Sequence, residues 1–97
     1  MRVEWSCFAV EDRIRIFDYI EQDDPLTAVV VDERIMEQTA TLEQFPQCGR
    51  QGRVEATREL VVSRTPFIVV YCVQESAVRV LRILHGAQSW PEHLRGE

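Results

Sequence analysis

The fold of this chain is decided by residues 57–91, TRELVVSRTPFIVVYCVQESAVRVLRILHGAQSWP. The apolar, β-branched runs in it predict strands at about 57–62, 67–73 and 78–84, because such residues suit the half-buried surface of a sheet. The connections at 63–66 and 74–77 have a length typical of antiparallel hairpins. In the last strand, strict alternation would place Val78, Val80, Arg82 and Leu84 on one face, and Arg79, Leu81 and Ile83 on the other.

A short strand and a helix are predicted at the start of the chain. The alternation in Arg2–Trp5 predicts the strand, and Ser6 is a favourable N-cap for a helix over roughly residues 7–22. The apolar spacing predicts that this helix buries Val10, Ile14, Phe17 and Ile20. The polar positions between them are expected to face solvent: Asp12, Arg15, Asp18 and Glu21.

A second helix is predicted over about residues 26–44. Asp24 would cap it, and Pro25 would take the first helical position, where the missing N–H costs no hydrogen bond. Its periodicity predicts an inward face of Ala28, Val31, Ile35, Thr39 and Leu42. The order β-α-α-β-β-β indicates an α+β fold in a single domain spanning residues 1–97, with a helical hairpin packed on a mainly antiparallel, four-stranded sheet.

The sequence indicates no membrane, metal or cofactor site. Its longest apolar run has seven residues, and Glu4 stands where a signal peptide would be apolar, so we expect a cytoplasmic protein without a membrane span. The cysteines, Cys7, Cys48 and Cys72, are odd in number and lack zinc-site spacing. We therefore expect no disulfide framework, no metal and no cofactor.

The charge is distributed unevenly along the chain. Residues 1–48 contain four arginines and eleven acidic residues, whereas residues 49–97 contain seven arginines and five acidic residues. The net charge of −5 therefore divides into −7 and +2, which predicts that an anionic partner docks on the second half. Lysine is absent, so every basic side chain except histidine is a guanidinium. Residues 47–53 are predicted to form a mobile loop with two exposed arginines, and they lack the Lys-Ser/Thr ending of a P-loop.

Several ordered motifs resemble the RelE/ParE superfamily of toxins from bacterial type II toxin–antitoxin systems. They are RIRIFDYI at 13–20, FP at 45–46, GR at 49–50, TRELVV at 57–62, IVVY at 68–71 and VLRILHG at 80–86. The resemblance covers about residues 1–91. It implies a small toxin that is neutralised by a cognate antitoxin, which is ParD-like, with a DNA-binding ribbon-helix-helix N-terminal half and a flexible C-terminal half that wraps the toxin.

The superfamily implies two alternative activities. ParE-like toxins inhibit DNA gyrase by binding, whereas RelE-like toxins are endoribonucleases that cut messenger RNA on the ribosome. RNA cleavage needs a base, an acid and cations on the phosphate, and RelE-like enzymes use lysine, arginine and tyrosine, or glutamate, arginine, histidine and tyrosine. Without lysine, the candidates for the second set are Arg58, Tyr71, Arg82 and His85. Gly86 follows His85, so the His-Tyr pair of that set is absent.

We therefore favour the ParE-like interpretation, in which the chain has no catalytic residues, over a RelE-like nuclease. The acidic total charge agrees with a protein target, because ribosome and RNA binders usually carry a strong positive field. Both readings predict that an acidic or amphipathic antitoxin segment covers the open face of the sheet or adds a strand to its edge. The residues expected to bind partners are Arg58, Arg64, Arg79, Arg82, His85 and Trp90.

Overall fold

The computed structural model describes residues 1–88 and 90. These residues form five strands, two helices and one 3₁₀ turn: β1 (Arg2–Trp5), α1 (Cys7–Glu21), α2 (Pro25–Ala40), the turn (Thr41–Glu43), β2 (Arg50–Gln51), β3 (Arg58–Val61), β4 (Phe67–Val73) and β5 (Ala77–His85). The predicted α+β class, with a helical hairpin on a mainly antiparallel sheet, is confirmed. The second helix ends earlier than predicted, at Ala40.

The sheet has the order β1-β5-β4-β3-β2, in which β1 runs parallel to β5 and the other pairs are antiparallel. The predicted number of four strands is wrong, because β2 forms inside the segment that was expected to be a mobile loop. β2 pairs Arg50 with Glu59 and Gln51 with Arg58. Two residues are too few to show a strand period in the sequence, so only their pairing with β3 reveals this strand.

Helix α1 begins where the sequence predicts, but it buries a different face. The Ser6 side chain accepts a hydrogen bond from the Ala9 N–H and donates one to the Leu81 carbonyl, which fixes the helix start to β5. Ala9 and Asp12 are buried, whereas Val10 and Ile14 are exposed. The predictions for Val10, Ile14 and Asp12 are therefore wrong, because the helix turns its polar Asp12 toward β5.

Helix α2 follows the sequence closely. The Asp24 carboxylate accepts the Thr27 N–H, Pro25 opens the helix, and the hydrogen bonds from Thr27 lower the pKa of the Asp24 carboxyl. The predicted inward face is confirmed, since all five of its members are buried: Ala28, Val31, Ile35, Thr39 and Leu42. Leu42 lies in the 3₁₀ turn that continues the helix.

A bulge in β5 changes which residues share a face of the sheet. Tyr71 pairs with Val80 and Val70 pairs with Arg82, so Leu81 is an extra residue in β5. After it the alternation is reversed, and Ile83 joins Val78 and Val80 in the main core. The prediction that Arg82 and Leu84 share the face of Val78 and Val80 is therefore wrong.

The apolar residues form two clusters, one on each side of the sheet. The main core lies between the sheet and the helices and includes Ile35, Leu42, Val69 and Tyr71. The second cluster consists of Ile68, Val70 and Leu84, and Trp90 packs against it. This second face is thus covered in part by the chain's own Trp90. Among the described residues, no helix is long and apolar enough to span a bilayer.

Candidate functional site

A groove of about 590 Å³ opens where the tip of the helical hairpin overhangs the end of the sheet. Its apolar surface comes from both helices and from the start of β4. Its rim carries the guanidinium groups of Arg15 and Arg64 together with the His85 imidazole. We call it the hairpin groove, and the described residues that line it are Arg15, Ile16, Tyr19, Ile20, Thr27, Val31, Arg64, Thr65, Pro66, Phe67 and His85.

The charge of the hairpin groove is opposite to that of the chain as a whole. Among its described lining residues are two arginines and one histidine, and no carboxylate. Arg15 is paired with Glu11 at 2.9 Å, so Arg64 supplies most of the positive charge at the rim. The chain nevertheless carries a net charge of −5. A groove with an apolar floor and a cationic rim fits an amphipathic segment whose polar side chains are acidic, because burial of the apolar side chains adds to attraction at the rim.

Arg64 is held at the rim by a strained turn. The Thr65 N–H donates to the Val62 carbonyl, and Arg64 has a φ of 62° at the third position of this turn. Glycine and asparagine are the usual residues there, because a β-carbon is crowded at positive φ. Arg34 of α2 donates to the Arg64 carbonyl at 3.4 Å, which ties the turn to the hairpin. An arginine in a strained position beside a groove is a functional candidate.

His85 stands between the hairpin groove and a second cleft of about 200 Å³. Its ring meets Phe67 edge-on, with 5.6 Å between the ring centroids. Its Nδ1 accepts the Ala87 N–H at 3.0 Å, so this nitrogen is already engaged within the chain. The second cleft is lined in part by Arg82, which brings three of the predicted partner-binding residues, Arg64, Arg82 and His85, to adjoining surfaces.

Arg82 forms a fork-like ion pair with Asp12. Its Nε and Nη2 donate to the two carboxylate oxygens at 2.6 and 2.9 Å, and the Ile83 N–H donates to the same carboxylate at 3.0 Å. β1 pairs with β5 only as far as Val80, so Asp12 satisfies a backbone donor on the uncovered edge of β5. Arg82 and Asp12 therefore join α1 to the sheet at this edge.

Arg58 and Tyr71 both support the loop that precedes β2. The Tyr71 hydroxyl, which is fully buried, donates to the Pro46 carbonyl and accepts the Gly49 N–H, each at 2.9 Å. Arg58 donates to the Gly49 carbonyl at 2.7 Å and to the Gln47 carbonyl at 3.3 Å. Burial raises the pKa of the Tyr71 hydroxyl above its ordinary value, although the hydrogen bond from Gly49 acts in the opposite direction.

Arg79 and Trp90 lie away from the hairpin groove lining. Arg79 forms an ion pair with Glu4 of β1 at 3.8 Å. The Trp90 indole lies under the Arg53 guanidinium, 3.5 Å from the ring centroid, and its Nε1 donates to the His85 carbonyl. Trp90 thus connects the end of β5 with the segment between β2 and β3.

Glu59 organises the arginines that the sequence places in a mobile loop. Its buried carboxylate accepts hydrogen bonds from Arg50 and from both the backbone and side chain of Arg53. Burial alone raises the pKa of the Glu59 carboxyl, but these hydrogen bonds outweigh it, and the pKa lies below its ordinary value. Arg50 and Arg53 are exposed, as predicted, and both are paired with the Glu59 carboxylate.

Asp12 and Glu59 are the important side chains that the sequence does not reveal. Both occur in polar patterns that are typical of an exposed surface, and only the packing of α1 on β5 and of β2 on β3 buries them. Among residues 1–88 and 90, no group of three or more His, Cys, Asp or Glu side chains is arranged to hold a metal ion.

A family model matches most of the chain. The model described as "ParE toxin of type II toxin-antitoxin system, parDE" matches residues 3–90. These residues include both helices, every strand except the first residue of β1, and every described residue that lines the hairpin groove.

Individual proteins of known sequence or structure agree with this match. The chain is 38% identical over 93 residues to Y4kP of Sinorhizobium fredii, a protein named as a candidate toxin. This alignment covers 96% of both proteins. It is 34% identical over 87 residues to toxin RelE2 of Caulobacter vibrioides, covering 90% of this chain and 97% of that protein. A solved chain described as "Chromosomal ParDE TA system from P. aeruginosa" superposes with a TM-score of 0.82 at 28% identity. The superposition covers 88% of this chain and 95% of the solved chain.

Proposed function

This chain belongs to the ParE toxin family of type II toxin–antitoxin systems, and we propose that it acts by binding DNA gyrase and inhibiting it. Bacterial gyrase works on chromosomal DNA, so the proposal places the chain in the cytoplasm. The toxin itself needs no chemical step in this proposal, because its effect comes from occupying the target. A cognate antitoxin would release the target by covering the toxin.

The observation that carries this proposal is the state of the residues that RNA cleavage would use. Arg58 donates to backbone carbonyls, Arg82 is paired with Asp12, and the Tyr71 hydroxyl is buried between Pro46 and Gly49. A raised pKa also disfavours the phenolate form that a tyrosine base would need. His85 is the remaining candidate, and one imidazole does not supply both the acid and the phosphate-binding cations. This arrangement favours a binding toxin over a nuclease.

The hairpin groove is our proposed site for the antitoxin. Its cationic rim and apolar floor suit an acidic, amphipathic segment from the flexible half of a ParD-like antitoxin with a ribbon-helix-helix start. Arg64 and His85 would meet its acidic side chains, while Ile16, Ile20 and Phe67 would contact its apolar ones. This places the antitoxin at the hairpin tip, whereas the pattern of arginines in the sequence favoured the open face of the sheet.

Two parallel assays test the proposed activity. Purified chain is added to DNA gyrase with relaxed plasmid, and supercoiling is measured; the same preparation is added to a ribosome-dependent translation reaction, and messenger RNA cleavage is mapped. We expect loss of supercoiling with intact messenger RNA. Addition of the protein encoded beside the toxin gene should restore supercoiling in a stoichiometric manner.

The alternative endoribonuclease function makes the opposite prediction in the same assays. Cleavage at defined codons with normal supercoiling would overturn the gyrase proposal. In that case His85→Ala should abolish cleavage, because histidine is the side chain that most often transfers protons in such reactions.

A further inference from the structure

The outer surface of the helical hairpin carries an apolar stripe whose residues belong to neither of the two apolar clusters of the described chain. Ile14 of α1 is 54% exposed and Val29 of α2 is 43% exposed, and Val10 precedes Ile14 by one turn on the same face. The apolar spacing of α1 predicts burial of Val10 and Ile14, yet both are exposed. Apolar stripes of this kind on a small protein mark surfaces that bind another molecule.

A cleft of about 300 Å³ runs between the two helices beneath this stripe. Its described lining is Arg13, Ile14, Phe17, Asp18 and Asp32. Arg13 donates to both carboxylate oxygens of Asp32, at 2.7 and 2.9 Å, and so bridges α1 and α2 at the bottom of the cleft. The two helices are therefore fixed relative to each other, and the stripe is a formed surface rather than one that must assemble on binding.

The acidic side chains around the stripe form no ion pair within the described part of the chain, and Arg34, the arginine of α2, donates instead to the Arg64 carbonyl. Within the part of the chain that the structure describes, the arginines of α1 are both engaged, Arg13 with Asp32 and Arg15 with Glu11. Exposed carboxylates that form no ion pair among the described residues surround the stripe: Asp18, Glu21, Glu33 and Glu37. The stripe is thus bordered by uncompensated negative charge, opposite to the rim of the hairpin groove.

This charge decides which occupant the surface fits. A second copy of the chain would bring the same carboxylates face to face, and like charges in contact cost affinity. An acidic antitoxin segment would meet the same repulsion. A helix with apolar side chains on one side and basic ones at its flanks would instead bury the stripe and pair with the free carboxylates.

We infer that the outer hairpin face, defined by Val10, Ile14, Phe17 and Val29 with the bordering acids Asp18 and Glu33, is the surface that binds the target protein, and that it takes a basic, amphipathic segment. This inference rests on the proposed function, because it assigns the target to one surface and the antitoxin to another. It predicts that substitutions can remove inhibition while antitoxin binding is kept.

The test uses the full chain and a double variant, Ile14→Ser with Val29→Ser. The matched control is Val61→Ser, because Val61 is 47% exposed on β3, outside the hairpin. All three proteins are first checked for an unchanged circular dichroism spectrum and unfolding midpoint. They are then compared for inhibition of gyrase supercoiling, for affinity to the antitoxin, and for affinity to a leucine–lysine amphipathic peptide, with a leucine–glutamate peptide as charge control.

We expect the double variant to inhibit gyrase and bind the leucine–lysine peptide about tenfold more weakly than the wild type, since buried apolar anchors dominate such interfaces. Its antitoxin affinity should be unchanged, and Val61→Ser should match the wild type in every assay. The leucine–glutamate peptide should bind at least about tenfold more weakly than the leucine–lysine peptide.

Two results with an active wild type would overturn the inference, and the peptide decides if the wild type is inactive. Equal gyrase inhibition by the double variant and the wild type removes the outer face from target binding and leaves the proposed function intact. Loss of antitoxin affinity assigns the face to the antitoxin. If the wild type itself does not inhibit gyrase, the proposed function fails, and the peptide alone decides: unchanged peptide binding by the double variant rejects the surface, and tenfold weaker binding upholds its chemistry.

Discussion

Replacing Asp12 by alanine should destabilise the fold strongly, although the sequence places this residue among solvent-facing positions. Asp12 is 7% exposed, and its carboxylate accepts hydrogen bonds from Arg82 Nε, Arg82 Nη2 and the Ile83 N–H. The alanine variant removes all three and leaves a guanidinium and a backbone donor facing an apolar methyl group.

The expected loss in the free energy of unfolding is about 3 kcal/mol. Breaking a buried ion pair by removing one partner costs roughly 3–5 kcal/mol, and a buried unsatisfied N–H costs about 1–3 kcal/mol. The Arg82 side chain is 25% exposed, so water recovers part of its solvation and the lower end of this range applies. Asp12→Asn keeps one acceptor for the Ile83 N–H but loses the charge, and it should cost about half as much.

Urea unfolding followed by circular dichroism measures these losses, and thermal unfolding gives a second value. For a domain of about this size, 3 kcal/mol corresponds to a fall in Tm of roughly 12–24 °C. Asp18→Ala is the matched control, because Asp18 is an exposed carboxylate on the same helix and should change stability by less than about 0.5 kcal/mol. If Asp12→Ala lost no more stability than Asp18→Ala, the joint between α1 and β5 would not depend on this pair.

Three further predictions concern the loops and the hairpin groove. Arg64→Gly should keep the free energy of unfolding within about 1 kcal/mol of wild type, because glycine accepts positive φ. Its affinity for the antitoxin, measured by calorimetry, should nevertheless be about tenfold weaker or more. Unchanged affinity would show that Arg64 is not part of the antitoxin site. Gly49→Ala should cost about 1–3 kcal/mol, because its β-carbon would lie 2.6 Å from the Tyr71 hydroxyl oxygen; a wild-type urea midpoint would show that the loop adjusts freely. Glu59→Gln should cost about 1–3 kcal/mol at neutral pH. The folded-state pKa of Glu59 is lowered, so its contribution is complete above the ordinary value of 4.5 and is lost as the pH falls through the lower folded value. The stability of the wild type should therefore converge with that of Glu59→Gln in acid. A constant difference between them at every pH would contradict this prediction. Glu75→Gln, at an exposed position, is the control.

The candidate site was only partly accessible from the sequence. The apolar spacing of the strands and the position of Arg64 in the connection 63–66 place a cation beside the start of β4. Neither feature shows that the hairpin tip overhangs this turn, so the hairpin groove is absent from the sequence. In the sequence, Arg58 and Arg82 cannot be distinguished from Arg64 as arginines that could bind a partner. Only the structure shows that Arg58 contacts the Gly49 carbonyl and that Arg82 contacts Asp12.

The sequence by itself determined the element order, the α+β class, the inward face of α2 and the family. These depend on local periodicity, on caps such as Ser6 and Asp24, and on motifs that are read along the chain. Tertiary structure alone decided the fifth strand, the bulge at Leu81 and the rotation of α1 that buries Asp12 and exposes Ile14. Each of these depends on a partner outside its own element: β3 for β2, β4 for the bulge, and the uncovered edge of β5 for α1. A local pattern reports how a residue suits its own helix or strand, and it contains no information on which neighbour leaves a hydrogen-bonding edge to be satisfied.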